Sequence, residues 1–267
     1  MALVKGVAEE AGRLLLGGMA TAGETVETKS SVTDVVTEMD RASEKLITSA
    51  ILERRPDDAI LAEEGGARAG TSGVTWVIDP LDGTVNYLYG LAPFAVSIAA
   101  RSGEGTFLGV VHDPVHGETF TALAGRGAWL DGRRLRCSAV KELGLALVGT
   151  GFSYARSRRK AQAAAVAELL PHVRDIRRGG AAAVDLCWVA AGRLDAYYES
   201  GIREWDRAAG ELVAREAGAH VQQVEPGPGN RPDEFLPVVT ACAPLLEQPF
   251  LALLRSARAN LVPTDGG

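Results

Sequence analysis

The sequence predicts an α/β protein: an α+β half over residues 1–143, then an α/β half over residues 144–267, packed as one compact unit. Three observations predict it. The first half opens with two amphipathic helical patterns and continues as short apolar runs broken by Gly, Pro and Asp, the mark of a meander of strands. From about residue 145 apolar strands alternate with helices, which suggests layered α/β packing. With 267 residues, 46% of them hydrophobic, the chain has ample material for a sizeable core.

Each element has its own warrant. Val4, Val7, Ala8, Ala11, Leu14 and Leu15 recur at helical spacing, so residues 2–19 read as a helix weakened by glycines. Residues 38–54 form a second helix, with Met39, Ala42, Leu46, Ala50 and Ile51 on one side and Pro56 beyond its end. Thr37 suits its N-cap, with Asp40 three residues on in the manner of a capping box. Residues 59–62 and 76–78 are apolar strands ending in carboxylates, and Pro80 forbids the second from continuing as a central ladder. Strands follow at 94–100, 107–112 and 118–123, and Asp131-Gly132 signals a hairpin turn. The second half reads as strands at 145–150, 175–178, 194–199, 219–224 and 237–242, with helices at 157–170, 182–191, 206–217 and 244–256. Residues 225–230 read as a surface loop and 263–267 as a frayed tail.

Composition narrows the function. A net charge of −6 argues against nucleic acid as a partner, since that needs a basic face to neutralise phosphates. The basic run Arg156 to Lys160 and the pair Arg177-Arg178 read as solvated faces. Cys137, Cys187 and Cys242 form neither a disulfide framework nor a zinc motif, which fits a reducing cytoplasm. Leu14 to Leu16 is too short an apolar stretch to span a bilayer, and no signal peptide is visible. His112, His116, His172 and His220 lack metal-ligand spacing and read as surface or turn residues. Tyr197, Tyr198, Cys187 and Trp188 read as packing.

The chemistry concentrates in Trp76 to Thr84. A strand delivers Asp79 at its end, and Asp82, three residues on, folds back beside it. Gly83 lets the backbone approach a ligand, and Thr84 opens a short helix over 84–89 whose N-terminus is a seat for phosphate. Two carboxylates so close repel, unless a hard cation sits between them or one stays protonated. Oxygen ligands select Mg²⁺, Mn²⁺ or Ca²⁺. Glu63-Glu64 also follows an apolar strand; alone it reads equally as a solvated loop. Asp206 precedes a helix and competes as an N-cap, and Asp40 as a capping-box residue. Four acidic sites at strand ends or helix starts are consistent with one crevice.

Together, the segments Asp34 to Asp40, Glu63-Glu64, Trp76 to Thr84 and Trp205 to Gly210 resemble the inositol monophosphatase family, in order over residues 2 to about 245, and most nearly its bacterial members. The resemblance implies the layered α-β-α-β-α sandwich of the sugar phosphatases and hydrolysis of inositol monophosphate to inositol and phosphate by metal-activated water. It implies two or three Mg²⁺ ions. The first would be held by Glu63, Asp79 and the Leu81 carbonyl, the second by Asp79, Asp82 and Asp206, and a third, weaker one by Glu63 and waters, with Lys29 nearby. Asp40, Glu63 and Thr84 are the implied catalytic residues, Asp40 and Thr84 orienting or deprotonating the water. Glu63, Gly83 and Thr84 would face the phosphate; Asp82, Gly180, Ala182, Glu199 and Asp206 would line the alcohol side, with Glu199 on a ring hydroxyl. A homodimer, inhibition by Li⁺, a cytoplasmic setting and a small phosphorylated polyol as partner, without nucleic acid or membrane, complete the expectation. One departure is Ala181, where the family usually carries Ser or Thr.

A histidinol-phosphate phosphatase, or another small sugar or polyol phosphatase of the same superfamily, would share the motifs. An aspartyl-phosphate mechanism needs aspartates at i and i+2, whereas Asp79 and Asp82 stand at i and i+3 with Pro80 between. A regulator that merely kept the fold is disfavoured, because all the ligand carboxylates are intact.

Overall fold

A computed structural model describes residues 1–19, 26–28, 35–225 and 236–259, with side chains from residue 38 onward and in 1–19. In chain order the elements are α1 (Ala2–Gly18), β1 (Val26–Thr28), β2 (Val35–Thr37), α2 (Glu38–Arg54), β3 (Ala59–Ala62), β4 (Gly66–Arg68), β5 (Thr75–Asp82), α3 (Thr84–Leu88), β6 (Ala95–Ser102), β7 (Gly105–Asp113), β8 (Glu118–Leu123), β9 (Gly127–Leu130) and β10 (Arg133–Arg134). Then come β11 (Leu147–Thr150), α4 (Arg156–Leu169), β12 (Asp175–Arg177), α5 (Ala182–Ala190), β13 (Ala196–Ser200), α6 (Glu204–Glu216), β14 (His220–Val224), β15 (Val238–Cys242) and α7 (Glu247–Ser256).

β1 and β2 form a separate two-stranded antiparallel ladder, and two larger sheets stack with three helical layers. The larger sheet has eight strands in the order β10-β9-β8-β7-β6-β5-β3-β4, antiparallel except for the β3–β5 pair. The smaller has five, β12-β11-β13-β15-β14, with β11 parallel to both neighbours and β15 antiparallel to both of its own. Val4, Ala8, Ala11, Ile47 and Ile51 of α1 and α2 pack on Ile78, Val96, Ile98 and Val110, one face of the large sheet. Its other face, with Val77, Ala99, Val111 and Phe120, meets α5 and α6, which in turn cover Tyr197 and Ala241 of the small sheet. Leu169, Phe250 and Leu254 from α4 and α7 close the far side on Val148, Ala196 and Tyr198. The order is thus α-β-α-β-α, as the resemblance implied.

The middle layer is thin because its residues are small. A Cβ on Gly210 of α6 would sit 2.8 Å from Leu186 Cβ of α5, and one on Gly109 of β7 would sit 2.9 Å from the Ala209 carbonyl oxygen. Alanines and glycines at these crossings let the two helices lie close to each other and to the sheet.

Several expectations need correcting. β5 does not stop at Asp79; it runs through Pro80 to Asp82, beside β6. Pro80 is tolerated because β3 pairs only as far as Ile78 and because the β5–β6 register shifts between Asp79 and Asp82, a bulge where no amide is demanded of it. Asp206 is no N-cap: α6 starts at Glu204, and Asp206 is its third residue. His112 is neither a surface nor a turn residue. It is buried in β7, its Nδ1 3.0 Å from Thr119 Oγ1. Asp131 and Gly132, both with positive φ, do form the turn between β9 and β10. Lys29, Asp34, the side chain of Thr37, most of the 225–230 loop and the 263–267 tail lie outside the described residues.

Candidate active site

The bulge in β5 builds the acidic side. Asp79 Oδ1 accepts the Leu81 N–H at 3.0 Å, a local turn that drives the chain sideways, while Ser43 Oγ holds the Pro80 carbonyl at 2.9 Å. Asp82 then reaches across the molecule. Its two carboxylate oxygens accept the N–H groups of Ala182 (3.2 Å) and Ala183 (2.7 Å), the first residues of α5. A helix start with free donors and a positive dipole end suits a carboxylate. Asp206 Oδ2 accepts the Arg203 N–H at 2.6 Å, closing the start of α6.

Gly83 turns the chain into α3 with φ 92°, a left-handed conformation that favours glycine. A Cβ there would also meet Ala181 Cβ, the Gly180 carbonyl and the Pro93 carbonyl, each at 3.2 Å. The crossing is tied by Asn86 of α3, which donates its side-chain amide to the Pro93 carbonyl (2.7 Å) and the Gly179 carbonyl (2.8 Å). One buried amide thus fixes the start of α3 against the 179–182 segment.

These elements enclose a cavity of about 370 Å³. Glu63, Asp79, Leu81, Asp82, Gly83, Thr84, Gly180, Ala182, Glu199 and Asp206 all line it. Asp40 does not. It is fully buried behind Thr84, whose hydroxyl has Asp40 Oδ1 at 3.3 Å and the Leu81 carbonyl at 3.2 Å as acceptors. One link from Asp40 to the cavity is therefore the Thr84 hydroxyl.

The carboxylates strain against one another. Burial lifts the Asp79 carboxyl well above its ordinary range, and Glu63, Asp82 and Asp206 push it further. Asp82 is lifted well above its range too, by burial first and then by Asp206, against the pull of the Ala183 amide. Asp206 is raised to about 7 by burial, with Glu63 and Glu199 adding to it. Among the described residues no three acidic, His or Cys side chains stand as a closed metal cage. The donor set is nonetheless all oxygen, anionic and self-repelling, the kind a hard divalent ion such as Mg²⁺ relieves.

The opposite wall was less visible in the sequence. Arg158 and Arg178, read there as solvated, line the cavity, as do Phe152, Tyr154, Arg203 and Trp205. Arg178 draws down the carboxyls of Glu199 and of buried Asp185, which burial raises. Tyr197, read as packing, is fully buried but donates its hydroxyl to Glu199 Oε2 at 2.8 Å. The available signal was the spacing, since residues two apart on a strand share a face. The wall at 151–155 is braced by Gln162, which accepts the Ser153 N–H at 3.0 Å and donates to Ser200 Oγ at 3.0 Å.

The inositol monophosphatase family matches residues 2–258. The inositol-1-monophosphatase of Mycobacterium leprae is 46% identical over 245 residues, covering 88% of this chain and 83% of that protein. The Escherichia coli protein named Nus factor SuhB is 42% identical over 222 residues, covering 82% and 83%. Among solved structures, the extragenic suppressor protein suhB from Bartonella henselae superposes with a TM-score of 0.86 at 34% identity, covering 97% of this chain and 98% of that one.

Proposed function

Because the chain belongs to the inositol monophosphatase family, and is therefore a phosphoric monoester hydrolase, we propose that its substrate is the phosphate ester of a small polyol, inositol monophosphate first. The observation that carries the reading is one cavity with a carboxylate-rich wall and the start of α3 on one side and Glu199 on the other. Histidinol phosphate is the alternative alcohol.

On this reading Glu63, Asp79 and the Leu81 carbonyl hold one Mg²⁺, and Asp79, Asp82 and Asp206 a second; a third would rest on Glu63. Bound Mg²⁺ supplies positive charge to the phosphate and acidifies water. The chain's own residues do the positioning. Gly83 and Thr84 seat the phosphate on the first turn of α3. Thr84 donates its hydrogen to Asp40 or to the Leu81 carbonyl, so a lone pair of its oxygen is left to accept a hydrogen bond from the attacking water and orient it. Glu63 steadies that water from the facing side. Gly180 and Ala182 wall the alcohol, and Glu199 accepts one of its hydroxyls. Phosphoryl transfer asks little covalent chemistry of a protein, so positioning and charge suffice.

The boundary at 143/144 then divides a metal-binding half from a substrate-side half. Further parts of the reading are a homodimer, sensitivity to Li⁺, a cytoplasmic setting and no nucleic-acid partner. No helix among the described residues is long and apolar enough to cross a membrane.

Phosphate release from inositol 1-phosphate and from histidinol phosphate, with and without Mg²⁺, tests the proposal. Mg²⁺-dependent release favouring inositol 1-phosphate is the expected result. Preference for histidinol phosphate would move the substrate and keep the mechanism. Release unaffected by chelation would sink the metal assignment.

A further inference from the structure

Glu199 is gripped from two sides. On one, Tyr197, two residues earlier on the same face of β13, donates its hydroxyl to Oε2 at 2.8 Å. Tyr197 is fully buried, so water does not compete for that bond. On the other side lies Gly151, just past β11. A Cβ there would fall 2.0 to 2.2 Å from the three atoms of the Glu199 carboxylate. Gly151 does not adopt a left-handed φ, so backbone conformation does not demand a glycine there; the room it leaves does. Gly151 also lines the cavity, whereas Tyr197 stands behind it.

A glutamate has three rotatable bonds, and an unrestrained one at a cavity wall samples many of them. Here a donor holds one oxygen and a glycine leaves the room that the carboxylate fills. We infer that Tyr197 and Gly151 form a socket that pins Glu199 by Oε2 and presents Oε1 to the alcohol, so that these two residues set the preference for a hydroxyl-bearing alcohol. The inference rests on the reading of Glu199 given above. Tyr197 is a positioning residue in it, and Gly151 supplies space. The phenol fills Oε2 with its one hydrogen, so the ionised carboxylate has Oε1 left as an acceptor. The partner it selects is therefore a donor such as a ring hydroxyl.

The test compares kcat/KM for inositol 1-phosphate with that for p-nitrophenyl phosphate, whose leaving group offers no such hydroxyl, using the full-length Mg²⁺-loaded protein. Glu199→Gln should lower the inositol-to-aryl ratio. Tyr197→Phe keeps the ring and its packing and should lower the same ratio about tenfold, mostly through KM, the scale of a hydrogen bond to a charged group. Gly151→Ala should lower it too, by displacing the carboxylate with the phenol intact. In a Glu199→Gln background, Tyr197→Phe should add less than it does alone. If Glu199→Gln leaves the ratio unchanged, the reading of Glu199 fails and the socket with it. If that variant lowers the ratio while Tyr197→Phe and Gly151→Ala do not, Glu199 stands and the socket is overturned. An equal loss on both substrates with Tyr197→Phe would make Tyr197 merely structural and overturn the inference as well.

Discussion

The two walls of the cavity are made differently. The acidic wall comes largely from one continuous stretch, Asp79 to Thr84, joined by Glu63 at the end of the neighbouring strand and Asp206 across from it. The alcohol wall is assembled from four separate places: the 151–155 segment, Arg158 on α4, the 178–182 segment and the stretch from Glu199 on β13 to Trp205 at the start of α6. The first kind of wall is a motif and the second a product of topology. A contiguous wall concentrates charge in one spot, which suits chemistry common to every substrate. A dispersed wall can be altered piece by piece, which suits recognition of one alcohol.

The contrast predicts where damage is greatest. Asp82→Asn should cost at least about a thousandfold in kcat with the fold retained, since it removes charge from the centre of the acidic wall. The asparagine oxygen can still accept an amide from the start of α5, so circular dichroism should stay native. Near-native turnover would break the assignment of the acidic wall.

Next in size is the link between pH, metal and stability. Asp79, Asp82 and Asp206 bind protons more tightly in the folded state than in the unfolded chain, where such groups titrate near 3.8. The stability they contribute is full below that value and is lost as pH rises through their folded values, about 7 for Asp206. The metal-free protein should therefore be less stable at pH 8 than at pH 5.5. Mg²⁺ should stabilise it more at pH 8, where the ionised carboxylates bind it more tightly; at a hundred times the dissociation constant the whole stabilisation is about 2.7 kcal/mol. Thermal melts with Mg²⁺ or with EDTA at the two pH values check this; an increment larger at pH 5.5 would contradict it.

Smallest is Ala181→Ser, on the alcohol side. Ala181 is the N-cap of α5 and caps it with no side chain, although Asp82 already takes the Ala182 and Ala183 amides. A serine should raise stability by no more than about 1 kcal/mol. It should change KM for inositol 1-phosphate by about threefold or less, because Ala181 is buried beside Gly83 and is not among the residues lining the cavity. A larger change in KM would mean that a hydroxyl at position 181 reaches the substrate.

The same contrast explains how much could be read from the amino acids. Most elements were legible to within two or three residues, because apolar periodicity and turn residues act over short range. The acidic wall was legible because its residues are neighbours in sequence. Arg158 and Arg178 were not, since a basic run on a helix and a pair after a strand look solvated until the fold brings them to one cavity. Tyr197 fitted the core pattern, and it is a core residue; only its hydroxyl belongs to the site. Pro80 misled for a related reason. The rule against proline in a ladder holds residue by residue, and a bulge, which depends on the partner strand, releases it.

The helices α5 and α6 come from the second half of the chain, yet they cover the inner face of the first half's sheet. A boundary that is clean along the chain is therefore absent from the interior. A ribosome that has released only residues 1–143 has made a sheet with Val77, Ala99, Val111 and Phe120 still wet. Those positions wait for α5 (Ala182–Ala190) for their first cover, and the cover is complete only with α6 (Glu204–Glu216), which begins about sixty residues further on. Expressed alone, the first piece would carry a broad adhesive face, so the two parts of this enzyme should be producible only as one polypeptide.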